Sequence, residues 1–151
     1  MKISEIVDRK GNALAVLGEG DPLALAVATM EREKIGSVAI TGNDGNRIIG
    51  LLSQGELIGA LARLGSEALS RPAGDFMYRN MLYCRCSDDV ALVMDRMTSR
   101  KQRHSVVQHA DGRVVGIVSL GDLVASLLTS ARLETDVLRD MARSHICMSS
   151  A

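Results

Sequence analysis

Two stretches of this chain carry the same three blocks in the same order. GDPLALAVATM (residues 20–30), IGSVAI (35–40) and GNRIIGLLSQGEL (45–57) are followed, 66 to 68 residues later, by SDDVALVMDRM (87–97), RHSVVQ (103–108) and DGRVVGIVSLGDL (111–123). A duplication of this kind constrains the fold more than any composition does, because one unit must be buildable twice and the two copies must bury a surface against each other. The organisation expected is a first repeat over residues 1–66, a linker and second repeat over 67–130, and a tail over 131–151.

Each copy reads alike. A short apolar run opens it, Ala13 to Leu17 in the first and Met81 to Cys86 in the second, as a strand does. Asp21-Pro22 and Asp88-Asp89 then suit a helix N-terminus, and Leu23, Val27, Met30 and Val90, Val93, Met97 follow at helical spacing. Ser37 to Thr41 and Ser105 to His109 read as strands. Turn sequences, Asn43-Asp44-Gly45 and Asp111-Gly112, separate them from third strands at Arg47 to Leu52 and Arg113 to Val118. Helices at Gly55 to Arg63 and Leu120 to Leu128 close the units. Strand, helix, strand, strand, helix predicts an α/β (α+β) fold with a small mixed sheet per repeat and helices on one face. Gly65 to Asp75 reads as the linker. Past Ser130, Leu133, Val137, Leu138 and Met141 predict a C-terminal helix whose apolar stripe packs on the domain or forms a dimer seam.

Composition excludes several function classes. Eighteen basic and eighteen acidic side chains cancel, so the field that draws proteins to nucleic acid is missing overall. Phe76, Tyr78 and Tyr83 are the only aromatic residues, too few and too clustered for a base-stacking surface. No run nears the roughly 20 apolar residues of a membrane span, and the start lacks a signal-peptide core, so a cytoplasmic location is expected. Cys84, Cys86 and Cys147 are odd in number and sparse, which argues for reduced thiols; no second Cys/His cluster supports a metal site. No nucleophile has a recognisable base partner, so no enzyme activity and no required cofactor are expected.

The two strand-to-helix junctions carry the chemistry. Gly50-Leu-Leu-Ser53-Gln-Gly-Glu56 and Gly116-Ile-Val-Ser119-Leu-Gly-Asp122 each place Gly before Ser and an acid three residues after it. A Ser at a helix N-cap leaves backbone N–H groups facing outward, which suits a phosphate, and the acid suits a pair of ribose hydroxyls. The same Ser-x-x-acid pattern is also the capping box, a purely structural device, and the residues alone leave both readings open.

The blocks GLLSQGEL and RVVGIVSLGDL, the RHSVV strand and the duplication itself resemble cystathionine-β-synthase (CBS) domains in tandem, the pair called a Bateman module. The resemblance covers about residues 1 to 130. It implies two repeats packed sheet to sheet about a pseudo-twofold axis, with two clefts that take AMP, ADP, ATP or S-adenosylmethionine, and modules that pair into a homodimer. It also implies roles: Gly116, Ser119 and Asp122 match the family pattern Gly-hydrophobic-x-Ser/Thr-x-x-Asp, hydroxyl toward phosphate and carboxylate toward ribose. Gly50 and Ser53 match, but Glu56 replaces the acid and puts the first site in doubt. Arg103 and His104 add phosphate donors beside the second junction, where the first copy has Lys34, Ile35 and Gly36. Repeat geometry puts adenine contacts at Ser37, Val38, Val106 and the stretch Leu82 to Cys84, with Tyr83 the one stacking ring. The function implied is a regulatory module that binds an adenosine nucleotide, AMP foremost, and signals to an unidentified protein; the alternative is a ligand-free dimerisation or scaffold module.

Overall fold

The computed structural model describes residues 1–11 and 14–149. Its elements are α1 (Ile3–Lys10), β1 (Val16–Gly18), α2 (Leu23–Glu33), β2 (Ser37–Thr41), β3 (Ile48–Ser53), α3 (Gln54–Leu64), β4 (Leu82–Arg85), α4 (Val90–Ser99), β5 (His104–Gln108), β6 (Val114–Ser119) and α5 (Leu120–Ser149). The strands form two three-stranded sheets, ordered β1-β2-β3 and β4-β5-β6. In each, the outer pair across the helix crossover is parallel and the hairpin pair antiparallel. Short 3-10 turns at Gly65–Ser70 and Ala73–Asp75 occupy the expected linker.

The repeated local signals did their work. Pro22 and Asp89 stand at the N-caps of α2 and α4, and the Asp89 carboxylate accepts a bond from the Ala91 N–H. Both helices are followed by a lysine with positive φ, Lys34 at 52° and Lys101 at 54°. Such a left-handed residue turns the chain back toward the sheet. The expected strand at Ala13 to Leu17 is seen from Val16; its Ala13 end lies outside the described residues. The β5 strand runs His104–Gln108, one residue earlier than expected.

Strand register corrects the alignment of the copies. Ser37 pairs with Ser53 as His104 pairs with Ser119, so His104 corresponds to Ser37 and Arg103 to Gly36. Likewise Ala39, not Val38, corresponds to Val106: they face Val16 and Tyr83 respectively.

Each repeat has its own core, and each core is completed by the segment that precedes the other repeat. Ile3, Ile6 and Val7 of α1 pack with Leu82, Val90, Val107 and Leu123. Ala68, Ala73 and Phe76 of the linker pack with Leu23, Ile40 and Leu52. Backbone bonds repeat this exchange: Ile3 N–H donates to Asp88 O at 3.0 Å as Ala73 N–H donates to Asp21 O at 2.7 Å, and Ser4 to Cys86 as Gly74 to Glu19. A third buried cluster, Ala39 and Leu51 with Met81 and Val106, joins the two sheets. Burying these faces against each other is the driving force for joining the repeats.

Two expectations differ from the structure. α1 was not read in the sequence, although Ile3, Ile6 and Val7 have helical spacing and Gly11 closes the helix. The tail is not a separate helix: α5 runs unbroken for 30 residues, about 45 Å, because nothing between Leu128 and Leu133 breaks it. Nor does its stripe pack on the domain, since residues 131–149 are exposed throughout.

Candidate functional site

The second junction opens into a cavity of about 570 Å³, lined by Gly116, Ile117, Ser119 and Asp122, by Arg103 and His104, and across from them by Ile35, Gly36 and Ser37. The end of α1, Lys10, and the approach to β1, Leu14 and Ala15, close one side. Strand and helix together explain the placement. Ser119 ends β6 and precedes α5, its Oγ accepts from the Asp122 N–H at 3.1 Å, and Asp122 Oδ2 accepts from the Ser119 N–H at 2.8 Å. This reciprocal cap holds both side chains at the cavity wall and satisfies two otherwise orphaned N–H groups.

Asp122 has a further partner. Lys10 Nζ donates to Asp122 Oδ2 at 2.7 Å and to the Ile117 carbonyl at 3.1 Å. Burial pushes the Asp122 carboxyl up, but the bonds from Lys10 and Ser119 outweigh it and hold the group below the usual carboxylate range. For His104, burial first and the Lys10 charge second push the imidazole below its ordinary value, so the neutral ring is favoured. Arg103, on the exposed side, has no ion-pair partner among the described residues, which leaves its guanidinium available to an anion.

The first junction is built the same way and then covered. Glu56 Oε2 accepts from the Ser53 N–H at 2.8 Å and from the Ser53 hydroxyl, so the longer acid still completes a cap but bends back onto its own serine. Over Gly50 lies the segment that follows the linker. Tyr78 and Leu51 exchange backbone bonds at 2.9 and 3.0 Å, and a Cβ built on Gly50 would meet Met77 Sδ at 2.6 Å and Tyr78 O at 3.0 Å. Among the described residues, a Cβ on Gly116 would meet nothing within 4 Å. Burial, then the nearby Glu56 charge, push the Tyr78 hydroxyl up to about 12.

Of the residues singled out in the sequence, the cavity brings together Gly116, Ser119, Asp122, Arg103, His104 and Ser37. Ser53 and Glu56 sit at the covered junction. Val38 and Val106 are fully buried, Val38 in the first core and Val106 in the joint between sheets. Tyr83 stands exposed on β4, and neither it nor Leu82 and Cys84 is on the cavity wall. Sequence reasoning missed Lys10 and Leu14; the periodicity of α1 was the signal that could have found the lysine. Among the described residues, no group of three or more His, Cys, Asp or Glu could hold a metal ion, and no helix is long and apolar enough to cross a membrane.

A CBS domain family model matches residues 3–63 and again 73–129. The chain belongs to the CBS domain family. Its two CBS domains form one tandem pair, a Bateman module, and the same arrangement is seen in solved structures. A CBS-domain containing protein from Agrobacterium tumefaciens is 30% identical, with a TM-score of 0.76 over 82% of this chain and 91% of that one. A CBS domain protein from Pyrobaculum aerophilum, solved in complex with AMP, is 20% identical, with a TM-score of 0.72 over 85% of this chain and 99% of that one. A third CBS domain pair, solved with 5′-methylthioadenosine and S-adenosyl-L-methionine, is 18% identical, with a TM-score of 0.73 over 87% of this chain and 98% of that one.

Proposed function

We propose that this CBS pair is a regulatory module that binds one adenosine nucleotide, AMP foremost and then ADP or ATP, in the cavity at the second junction. The observation that carries the reading is the convergence of Ser119, Asp122, Arg103 and His104 on one open cavity of about 570 Å³, within the range of small-ligand sites. Asp122 would accept from the two ribose hydroxyls. The Ser119 hydroxyl, the first N–H groups of α5 and the Arg103 fork would hold phosphate. The apolar wall of Leu14, Ile35 and Ile117 suits adenine.

Charge supports a phosphate ligand over a sulfonium one. Lys10, Lys34 and Arg103 line the cavity against a single acid, Asp122. That balance favours an anion, and it ranks S-adenosylmethionine below the nucleotides although relatives of the same fold have been solved with either kind. Lys10 must release one oxygen of Asp122 when ribose enters; its ammonium then stands free to move toward phosphate. The Glu56 junction, filled by Met77 and Tyr78, is read as structural.

The ligand would act by stabilising one arrangement of the two sheets and so changing affinity for a protein partner, the shift being set by its differential binding to the two arrangements. The module is further proposed to work as a homodimer in the cytoplasm, with no catalytic step of its own.

The test is thermal unfolding with AMP, ADP, ATP and S-adenosylmethionine, beside Asp122→Ala. Ligand at about 100 times its dissociation constant stabilises by roughly 2.7 kcal/mol. A rise in Tm with nucleotide that disappears in the variant supports the reading. No rise with any of the four would overturn it in favour of a ligand-free scaffold.

A further inference from the structure

We infer that the free half of α5 pairs antiparallel with the same segment of a second copy of this chain, about a two-fold axis between Arg139 and Asp140. The inference rests on the homodimer part of the proposed function and names its seam and orientation.

The segment begins where the domain ends. Leu123 and Ser126 are buried and Leu127 packs on the second core, whereas every residue from 131 to 149 is exposed. The exposed apolar side chains are large: Leu138 is 66% exposed, Met141 64% and Met148 81%. Residues 131, 134, 138, 141, 145 and 148 alternate steps of three and four, the spacing of a two-helix seam. They are Ala131, Glu134, Leu138, Met141, His145 and Met148. The charged residues Arg132, Asp136, Arg139, Asp140 and Arg143 fall off this line together with the exposed Leu133 and Ile146, and Val137 flanks the seam.

Glu134 and His145 fix the orientation. Neither has an ion-pair partner in its own chain among the described residues. A parallel pair would set Glu134 against Glu134 and His145 against His145. The antiparallel pair about the Arg139–Asp140 midpoint sets Glu134 against His145 twice, Leu138 against Met141 twice, and the smallest seam residue, Ala131, against Met148. An imidazole N–H donor facing a carboxylate acceptor, close apolar pairs and a small residue facing a large one are satisfied in a single register. That register also fits the length available. It lays Ser130 beside Ser149, so the overlap uses the whole free segment and stops where each domain begins.

Cross-linking in a Cys147→Ser background tests the orientation. A mixture of Ala131→Cys and Met148→Cys chains should form a covalent dimer on mild oxidation, while Ala131→Cys alone should not, because its two copies stand 17 residues, about 25 Å, apart along the pair. A covalent dimer from Ala131→Cys alone, matching a parallel pair, would overturn the proposal. Sedimentation supplies the second measurement. Met141→Asp should weaken dimerisation by roughly tenfold or more, His145→Glu should weaken it too, and adding Glu134→Lys to the latter should restore it. The substituted residues are exposed and lie beyond the domain, so each protomer should keep its fold, as circular dichroism would show. A wild-type monomer at high micromolar concentration would overturn the pairing together with the homodimer. A dimer indifferent to Met141→Asp would overturn the pairing alone and move the interface to the domains.

Discussion

Lys10 and Asp122, 112 residues apart in the chain, meet at 2.7 Å across the mouth of the cavity. The contact ties the end of α1 to the first turn of α5 and places a cation on the one acid of the cavity wall. Its consequences reach stability, pH response and ligand choice.

Stability depends on this pair only weakly. Both side chains are partly exposed, 40% for Lys10 and 27% for Asp122, and such pairs contribute up to about 1 kcal/mol. Lys10→Met should therefore keep the fold and shift Tm by a few degrees at most. Its effect should show in acid. The Asp122 carboxyl is lower in the folded protein than in the unfolded one, so its contribution is present above the unfolded value and lost as pH falls through the folded one. Chemical denaturation from about pH 5 downward, through and below the unfolded carboxyl value of about 3.9, should give a shallower loss for Lys10→Met than for the wild type.

His104 gives a lever of the same sign at higher pH. Its folded value is lowered, burial first and Lys10 second, so between the folded and unfolded values the unfolded chain binds more protons. Stability should fall as pH drops below the ordinary histidine value of about 6.5. His104→Gln should remove that part of the slope. A phosphate ligand beside the ring favours its protonated form, so nucleotide should bind more tightly at about pH 6 than at about pH 8, as isothermal titration would measure.

The two junction glycines should respond differently to a methyl group. Gly50→Ala drives a Cβ into Met77 and the Tyr78 carbonyl, and overpacking of this kind costs about 1–3 kcal/mol. Gly116→Ala meets none of the described residues within 4 Å and should leave Tm close to the wild type. A larger residue, as in Gly116→Val, should still fold but narrow the cavity and weaken nucleotide binding. Equal destabilisation by the two alanines would remove the distinction between a filled and an open junction.

The thiols should react in order of exposure. Cys147 is exposed and Cys84 buried; burial, eased by the Ser105 bond, pushes the Cys84 thiol up to about 11, which leaves almost no thiolate at neutral pH. A thiol reagent should label Cys147 quickly and Cys84 only on unfolding, as mass spectrometry of the labelled peptides would show.

The sequence by itself determined the repeated part of this protein. Two sheets, their hairpins and the Ser-x-x-acid caps follow from apolar spacing and turn chemistry acting over a few residues, and duplication made each signal legible twice. The second junction could be singled out because Asp122, Arg103 and His104 break the symmetry on paper. Tertiary structure alone decided the rest. That Met77 and Tyr78 cover Gly50, that Lys10 rather than solvent meets Asp122, and that Val38 and Val106 are buried in cores rather than facing the cavity depend on how the segments before each repeat cross to the other. Contacts between residues so distant in the chain leave no local periodicity to read. They exist only once the two sheets have met through the burial of Ala39, Leu51, Met81 and Val106 between them.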